Sequence, residues 1–500
     1  MRRPRRKRAR PGFGPGAVGR RIRRRVSRGF RKQGKAGAGT LPALSFWRLR
    51  GRVRAMIRTA LAATALLLAA APGAAQSQQD QLDSRYSRAL AAGYKALMLC
   101  GALGNQPDGL SMREQRSVEE LELTGVQPEL AALMDAVVGD PVGDVRARLS
   151  YVWARHGDDG PLRLAAFRAG KGCALAPVGT AVVDLKRLFP DMLPPGISPP
   201  RPRPRPHPNP RIVPKRLAPL RAALDGSYGQ GTRTTAVLVS LQGDTVDEGY
   251  HADFGTDTPQ RTWSVAKSIG ATLVGAAAYR GEADVQASAG LGVSDTDPRR
   301  TITIDHLLRM ASGRYSDTPG NRTDPLYWGG ATVDEVALDW PLQAAPGSSY
   351  RYANNDTLAA VAAIKQSFAA HPPAALFKVL GMTNTVAETD WQGNYILSSQ
   401  VWTTSRDLAK FGQLYLNDGK LPDGTRILPE GWVKYVTTPS GPQPPTGTFG
   451  YGAGFWLLNK EEGVPSDTFA AIGNRGQYVV IVPSRKVVIV RRGEDPVGSG

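Results

Sequence analysis

Apolar side chains recur every three to four residues near residue 80. The spacing predicts an amphipathic helix over residues 80–99. The apolar positions of this helix are Leu82, Tyr86, Leu90, Tyr94 and Leu97. A second helix is predicted over residues 128–139, because Pro128 suits a first helical turn and the apolar run that follows it ends at Gly139.

Two short apolar stretches follow, at 145–153 and 162–167, and the sequence His-Gly-Asp-Asp-Gly separates them. Strand-like runs on either side of such a turn predict a β-hairpin. We therefore expect residues 76–190 to form a small N-terminal α+β domain. No catalytic or ligand-binding motif is recognisable in it.

Residues 220–500 combine strand patterns at both ends with helical patterns between them. One hairpin is predicted from 234–241 and 245–250, and another from 478–482 and 487–491. The helical patterns cover 264–280, 304–310, 334–338, 356–370 and 406–416. This arrangement predicts an α+β fold, in which one antiparallel sheet is built from both ends of the domain, flanked by helices and completed by an inserted helical region.

The formal charge of +21 would suit a nucleic-acid-binding protein, but it is unevenly distributed. Residues 1–55 carry 20 of the 64 Lys and Arg residues and none of the 43 Asp and Glu residues. The rest of the chain is therefore close to neutral. An Arg-, Pro- and Gly-rich segment of this kind cannot form a core and is predicted to be disordered, and no nucleic-acid partner is expected.

Residues 56–75 have the layout of a secretory signal peptide. Met56 and Arg58 begin it, an Ala- and Leu-rich stretch follows, and small residues at 73–75 resemble a cleavage site. The apolar stretch is too short to span a bilayer, and no cysteine closely follows it, so no stable membrane anchor is expected. We hypothesise that translation begins at Met56 and that the chain is exported to the periplasm or secreted.

A proline-rich segment separates the two predicted domains. Ten prolines lie between Pro194 and Pro214, a composition that favours an extended polyproline II spacer. Residues 191–219 are therefore predicted to be a linker. Its Pro-x-x-Pro content would suit an SH3-like partner, but in an exported chain a stiff surface linker is the preferred interpretation.

Cys100 and Cys173 are the two cysteines of the chain. In an oxidising compartment two cysteines can pair. Their positions leave open whether they form a disulfide or remain as two buried thiols.

Ser264 and Lys267 form a Ser-x-x-Lys sequence at the start of an almost wholly apolar helix. Side chains at i and i+3 share one helix face, so the lysine can reach the serine. Burial would lower the pKa of the lysine and allow it to act as the base that a serine nucleophile needs. A Ser-x-x-Lys sequence is short enough to occur by chance, and a solvated lysine beside an N-cap serine is the structural alternative.

Tyr352 and Asn354 are candidates for the remaining proton transfers. In an extended loop residues i and i+2 point the same way, so Tyr352 could share a proton network with Lys267 while Asn354 contacts substrate or steadies the lysine. Further on, Gly476 and Gln477 begin a strand, and the main-chain N–H groups of Ser264 and Gln477 could form an oxyanion hole.

In this order, Ser-x-x-Lys, Tyr-x-Asn and a glycine-bounded strand edge resemble the serine β-lactamase and penicillin-recognising superfamily. The resemblance is to its class C-like branch, which also contains esterases, D-amino-acid peptidases and 6-aminohexanoate-dimer hydrolases. It covers about residues 220–495, and supporting stretches lie at 303–313, 346–347, 406–409 and 428–432. It implies that Ser264 forms an acyl-enzyme, that Lys267 and Tyr352 carry its proton to the leaving group, and that no metal or organic cofactor is needed.

One departure from that resemblance concerns the substrate. Where β-lactamases of the superfamily carry Lys-Thr-Gly or His-Thr-Gly, this chain has Asn474, Arg475 and Gly476, and Arg475 is the candidate to replace the missing cation. We therefore expect a serine hydrolase acting on a small ester, amide or peptide. The alternatives are a true β-lactamase or D,D-peptidase, and a non-catalytic protein that binds peptidoglycan peptides. The oligomeric state is not predicted.

Overall fold

The computed structural model describes residues 77–106, 113–127, 130, 134–138, 150–192, 217–316 and 323–497. The predicted basic extension, the signal peptide and nearly all of the Pro-rich linker lie outside these residues. The expectations for those segments therefore stay predictions.

The N-terminal part contains a long helix and a four-stranded antiparallel sheet. Its elements are α1 (77–104), α2 (Gln115–Leu121), β1 (Val137–Val138), β2 (Tyr151–Arg155), β3 (Arg163–Arg168), β4 (Gly172–Leu175) and α3 (Leu185–Leu188). The strands pair in the order β1-β2-β3-β4. The predicted first helix and the β2–β3 hairpin are confirmed.

The predicted helix over 128–139 is wrong at its C-terminal end. Val137 and Val138 form strand β1 and pair with Arg155 and Ala154 of β2. Valine is β-branched and suits an extended backbone better than a helix. Pairing with the edge of β2 therefore determines the structure of these two residues, although the apolar residues before them have helical spacing.

The remaining elements follow in chain order. They are α4 (Ala218–Leu224), β5 (Thr234–Leu241), β6 (Asp244–Tyr250), β7 (Gln260–Arg261), α5 (Val265–Tyr279), α6 (Ile304–Leu308), α7 (Pro325–Trp328), α8 (Asn354–Ala363), α9 (Pro373–Val379), β8 (Val386–Ala387), β9 (Val401–Thr403), α10 (Ser405–Leu416), α11 (Trp432–Thr437), β10 (Gly450–Tyr451), β11 (Trp456–Leu457), β12 (Phe469–Gly473), β13 (Gln477–Val482) and β14 (Val487–Gly493). A π-helical turn covers Asp334–Leu338.

The central sheet confirms the predicted α+β fold. Its seven strands lie in the order β10-β11-β12-β13-β14-β5-β6, so the last strand, β14, pairs with the first strand of this region, β5. All neighbouring pairs are antiparallel. Both predicted hairpins are present, and helices α5 and α10 pack on the sheet.

Helix α5 lies in the interior of the protein. Every residue from Val265 to Ala277 is buried, as expected for a helix without a polar face. Small residues allow its close packing: a side chain at Gly275 would lie 2.5 Å from the Trp432 ring. The helix therefore gives a rigid support to the residues at its N-terminal end.

The N-terminal part shares a hydrophobic core with the rest of the protein. Tyr94 and Leu97 of α1 belong to one buried cluster with Trp328, Leu358 and Trp402, and the described residues from 77 to 497 form one compact unit. The predicted boundaries at 76–190 and 220–500 stay a prediction.

A disulfide joins Cys100 of α1 to Cys173 of β4, which settles the pairing that the sequence left open. The bond links the long helix to the four-stranded sheet. In the part of the chain that the structure describes, no helix combines the length and apolarity needed to cross a membrane.

Candidate active site

Ser264 lies where β7 turns into α5. The turn is made by Trp263, whose φ of +49° falls in the left-handed region that is strained for a bulky residue. The guanidinium carbon of Arg261 lies 3.7 Å from the centre of the Trp263 ring, and both side chains are buried. This packing holds the strained residue and fixes Ser264 at the start of the helix.

Lys267 lies one turn further along α5, beside the serine. Its Nζ is 3.0 Å from Ser264 Oγ, 2.5 Å from Asn354 Oδ1 and 2.9 Å from the Ser398 carbonyl oxygen. The residue is 2% exposed, and this burial lowers the pKa of the ammonium group to about 7. None of the ion pairs among the described residues involves Lys267.

These contacts suit a neutral amine. A neutral lysine has two N–H donors and one lone pair, and Lys267 has two carbonyl-type acceptors and one hydroxyl around it. The two N–H groups can donate to Asn354 and Ser398 while the lone pair accepts from Ser264. The arrangement therefore allows Lys267 to take the hydroxyl proton.

The structure places Tyr352 beside Ser264 and Lys267, the two residues with which the sequence predicted a proton network. Burial raises the pKa of the Tyr352 phenol to about 12, and the smaller effects of Ser264 and Trp456 beside it act in the opposite direction. Lys267 Nζ lies 5.1 Å from the centre of the Tyr352 ring. Near neutral pH the tyrosine keeps its proton, whereas Lys267 titrates, so the two groups are suited to acid and base roles respectively.

Asn354 contacts Lys267, which is one of the two contacts predicted for it. Its Oδ1 accepts from Lys267, and its Nδ2 donates to Thr323 Oγ1 at 3.0 Å. Asn354, in the first turn of α8, therefore positions the amine of Lys267.

Ser264 opens into a cavity of about 340 Å³. Its described lining residues are Tyr94, Gln127, Trp263, Ser264, Asp324, Tyr327, Trp328, Tyr352, Asn354, Ser399, Trp456, Ile472, Gly473 and Asn474. Six of these 14 residues are aromatic. Asp324 is the one acidic residue in this set, which contains no lysine or arginine. No three His, Cys, Asp or Glu side chains converge as a metal site among the residues that the structure describes.

The strand edge at the cavity is the end of β12, not the start of β13. Leu458 N donates to Thr468 O, and Trp456 pairs with Ala470. Backbone groups alternate along a strand, so those of Ile472 point to the same side as those of Thr468 and Ala470. β11 does not extend that far, which leaves the N–H of Ile472 facing the cavity.

The main-chain N–H groups of Ser264 and Ile472 are therefore the candidate oxyanion donors. β12 closely approaches the start of α5, since a side chain added at Gly473 would lie 3.0 Å from Ser264 N. Ile472 was not among the residues predicted from the sequence. The run from Phe469 to Gly473 before the Asn-Arg-Gly turn was the signal that could have placed a strand there.

Gly476 and Gln477 do not line the cavity, which corrects their predicted role. Gln477 pairs with Gly473 across the hairpin, so its main chain lies one strand behind the cavity edge. Its side chain donates to the Arg475 and Gly493 carbonyls. Gly476 has a φ of +82°, and a side chain there would clash with Arg491. Both residues serve the β12–β13 turn.

Arg475 is also directed away from the cavity. It is 3% exposed and donates to the carbonyls of Leu121, Glu122 and Thr124, with further bonds to the carbonyls of 494 and 495. The guanidinium therefore anchors the segment after α2 to the central sheet and does not replace the missing substrate-binding cation.

The fold and this arrangement of Ser264, Lys267 and Tyr352 define a serine hydrolase-like protein of the penicillin-recognising kind. Residues 215–491 match the beta-lactamase family, and the chain belongs to that family, whose members are serine hydrolases.

The chain is also similar to individual proteins. The chain is 28% identical over 274 residues to "Penicillin-binding protein 4" of Amycolatopsis lactamdurans. The matched region covers 47% of this chain and 71% of that protein. Among solved structures it is similar to a D-stereospecific amidohydrolase from Streptomyces sp., with 18% identity, a TM-score of 0.44 and coverage of 56% and 94% of the two chains. A beta-lactamase from Mycobacterium bovis has 18% identity, a TM-score of 0.41 and coverage of 55% and 92%.

Proposed function

We propose that this protein is a serine hydrolase that acts through an acyl-enzyme on a small ester, amide or peptide. Ser264 Oγ attacks the substrate carbonyl as its proton passes to Lys267, and the N–H groups of Ser264 and Ile472 stabilise the oxyanion. Collapse of the tetrahedral intermediate breaks the bond to the leaving group, which takes a proton through Tyr352. Water then attacks the acyl-enzyme and releases the acid.

The observation that carries this proposal is the desolvated lysine 3.0 Å from the serine hydroxyl, with a pKa of about 7. A solvated lysine would hold its proton near pH 10 and could not act as a base at neutral pH. A purely structural lysine would gain nothing from this environment, since burial destabilises its charge.

Labelling with a fluorophosphonate tests the proposal. The probe should add one phosphonyl group, and peptide mapping should place it on Ser264. Ser264→Ala should abolish the labelling, whereas Ser399→Ala, which changes another serine of the same cavity, should retain it. A folded protein that takes no label between pH 5 and pH 9 would instead favour the non-catalytic, peptide-binding alternative.

The cavity supports ester or amide substrates more than β-lactams. β-Lactams carry a carboxylate that needs a cation, and neither lysine nor arginine is among the described lining residues. Nitrocefin and p-nitrophenyl acetate can be compared at equal enzyme concentration. We expect turnover of the ester to exceed that of nitrocefin, and the reverse order would support the β-lactamase alternative.

We also propose that the protein is exported to the periplasm or secreted. The signal-peptide pattern at 56–75 supports export, and so does the Cys100–Cys173 disulfide, because such bonds persist in oxidising compartments. Fractionation of the source cells and N-terminal sequencing test this; a mature chain starting at Met1 and retained in the cytoplasm would contradict it.

A further inference from the structure

Three aromatic or apolar side chains lie together on one side of the cavity. Trp456 of β11, Ile472 of β12 and Tyr352 all line it, and each of them is partly exposed. Trp456 pairs with Ala470, and Ile472 lies two residues further along β12. Directly opposed residues of an antiparallel pair point to the same face of a sheet, and so do residues i and i+2 of one strand. The side chains of Trp456 and Ile472 therefore share one face beside Tyr352.

The Trp456 ring is held in place by three other rings. Its centre lies 5.3 Å from that of Tyr352, with 35° between the ring planes. Tyr451 packs edge-to-face against it at 5.0 Å, and Phe449 does so at 6.5 Å. Offset and edge-to-face arrangements of this kind are the ones that aromatic rings prefer. The ring is therefore fixed by its neighbours, although part of its surface is open to the cavity.

The position of Tyr352 indicates which part of the substrate meets this ring. In the proposed reaction Tyr352 gives its proton to the leaving group, and a general acid has to lie within about 2.6–3.2 Å of the atom that it protonates. The leaving atom is therefore at the Tyr352 hydroxyl, and the group attached to that atom lies near Trp456. An apolar group there would remove the open face of the ring from water, which is favourable.

We propose that the Trp456 ring, flanked by Ile472, is a subsite for the leaving group, and that the preferred substrates are esters or amides whose alcohol or amine part carries an aromatic or similarly apolar group. The inference rests on the proposed hydrolase function. It narrows the substrate class of that function and makes Trp456 a specificity-determining residue.

Esters that differ in one part of the molecule test the proposal. Benzyl acetate and methyl acetate have alcohols of similar acidity and give the same acetyl-enzyme, so a difference in kcat/KM between them arises in acylation. The wild type should favour benzyl acetate by about tenfold, the value of one favourable aromatic contact. Methyl phenylacetate, compared with methyl acetate, places the same ring in the acyl part, and the preference for it should be much smaller.

Trp456→Leu should bring the benzyl-to-methyl ratio of kcat/KM close to one. Trp456→Phe keeps an aromatic ring and should keep most of the preference. Trp153→Leu, at a partly exposed tryptophan of strand β2, is the matched control and should give the wild-type ratio. Because the readout is a ratio between two acetates, a general loss of activity in a variant does not change it.

Equal kcat/KM for the two acetates in the wild type would overturn the proposal. A preference that persists in Trp456→Leu, or one that is larger in the acyl pair, would overturn it as well. Failure of the proposed function has a different signature, since the wild type would then neither label at Ser264 nor turn over any of the esters.

Discussion

The pKa of Lys267 makes a quantitative prediction about pH. Lowering it from 10.5 to about 7 corresponds to about 5 kcal/mol of destabilisation of the buried ammonium form. With a pKa of about 7, roughly half of the lysine is neutral at pH 7, about a tenth at pH 6 and about a hundredth at pH 5. An ordinary lysine would be neutral in only about one molecule in 3,000 at pH 7.

The rate of Ser264 phosphonylation should therefore rise about tenfold per pH unit between pH 5 and pH 6.5, and level off above pH 8. Stopped-flow measurements with a fluorophosphonate give this profile directly. Lys267→Met should lower the rate at pH 8 by about 10²–10⁴-fold, the usual contribution of a general base. Lys365→Met, at a partly buried lysine bonded to Asn394, is the control and should keep the wild-type profile.

A rate that is flat from pH 5 to pH 9, or one that is still rising steeply above pH 9, would refute this reasoning. The first result would mean that no group titrating near neutrality takes the serine proton. The second would mean that water reaches Lys267 and that its pKa is not lowered by burial.

Three other outcomes follow from the structure. Ile472→Pro removes the proposed oxyanion N–H and should lower kcat by about 10²–10³-fold, with an unchanged circular dichroism spectrum. Ile472→Val keeps the N–H and should be close to the wild type. Equal activity of the two variants would exclude this donor. Arg475→Met leaves the buried carboxylate of Glu494 without its 3.4 Å ion-pair partner, so the free energy of unfolding should fall by about 3–5 kcal/mol. Chemical denaturation measures this change, with Arg485→Met as the exposed control. Equal stability of the two variants would refute the anchoring role. Burial raises the pKa of Glu388 to about 7. The contribution of this carboxyl group to stability is therefore complete below its ordinary pKa of 4.5 and is lost as the pH rises through 7. Glu388→Gln should abolish this loss, and an identical pH dependence of unfolding in the wild type and the variant would contradict the prediction.

The residues that sequence could locate are those whose role depends on local spacing. Ser264 and Lys267 lie three residues apart on one helix, so a helical pattern was enough to bring them together. The central sheet was also predictable, because two strong hairpin patterns lay at the two ends of one domain. Tyr352 needed the added resemblance to a family, since nothing local connects it with Lys267.

The residues that sequence misplaced depend on register or on distant packing. Assigning the oxyanion donor required knowing which of two adjacent strands borders the cavity, and a two-residue alternation cannot distinguish Ile472 from Gln477. Arg475 was assigned to substrate because it lies beside the expected motif. One of its actual partners, Leu121, is 354 residues away in sequence, a distance over which no pattern predicts contact.

The same long-range contacts govern the order in which the chain can fold. Helix α1 is synthesised early, but its partner Trp402 and the anchoring residue Arg475 come near the end of the chain. Strand β5 likewise cannot pair with β14 until β14 has been synthesised. Non-local pairing of this kind slows folding, and here it delays completion of the core until synthesis is almost finished. The central sheet is therefore complete only after β14 has been synthesised, and folding this late suits the export proposed above.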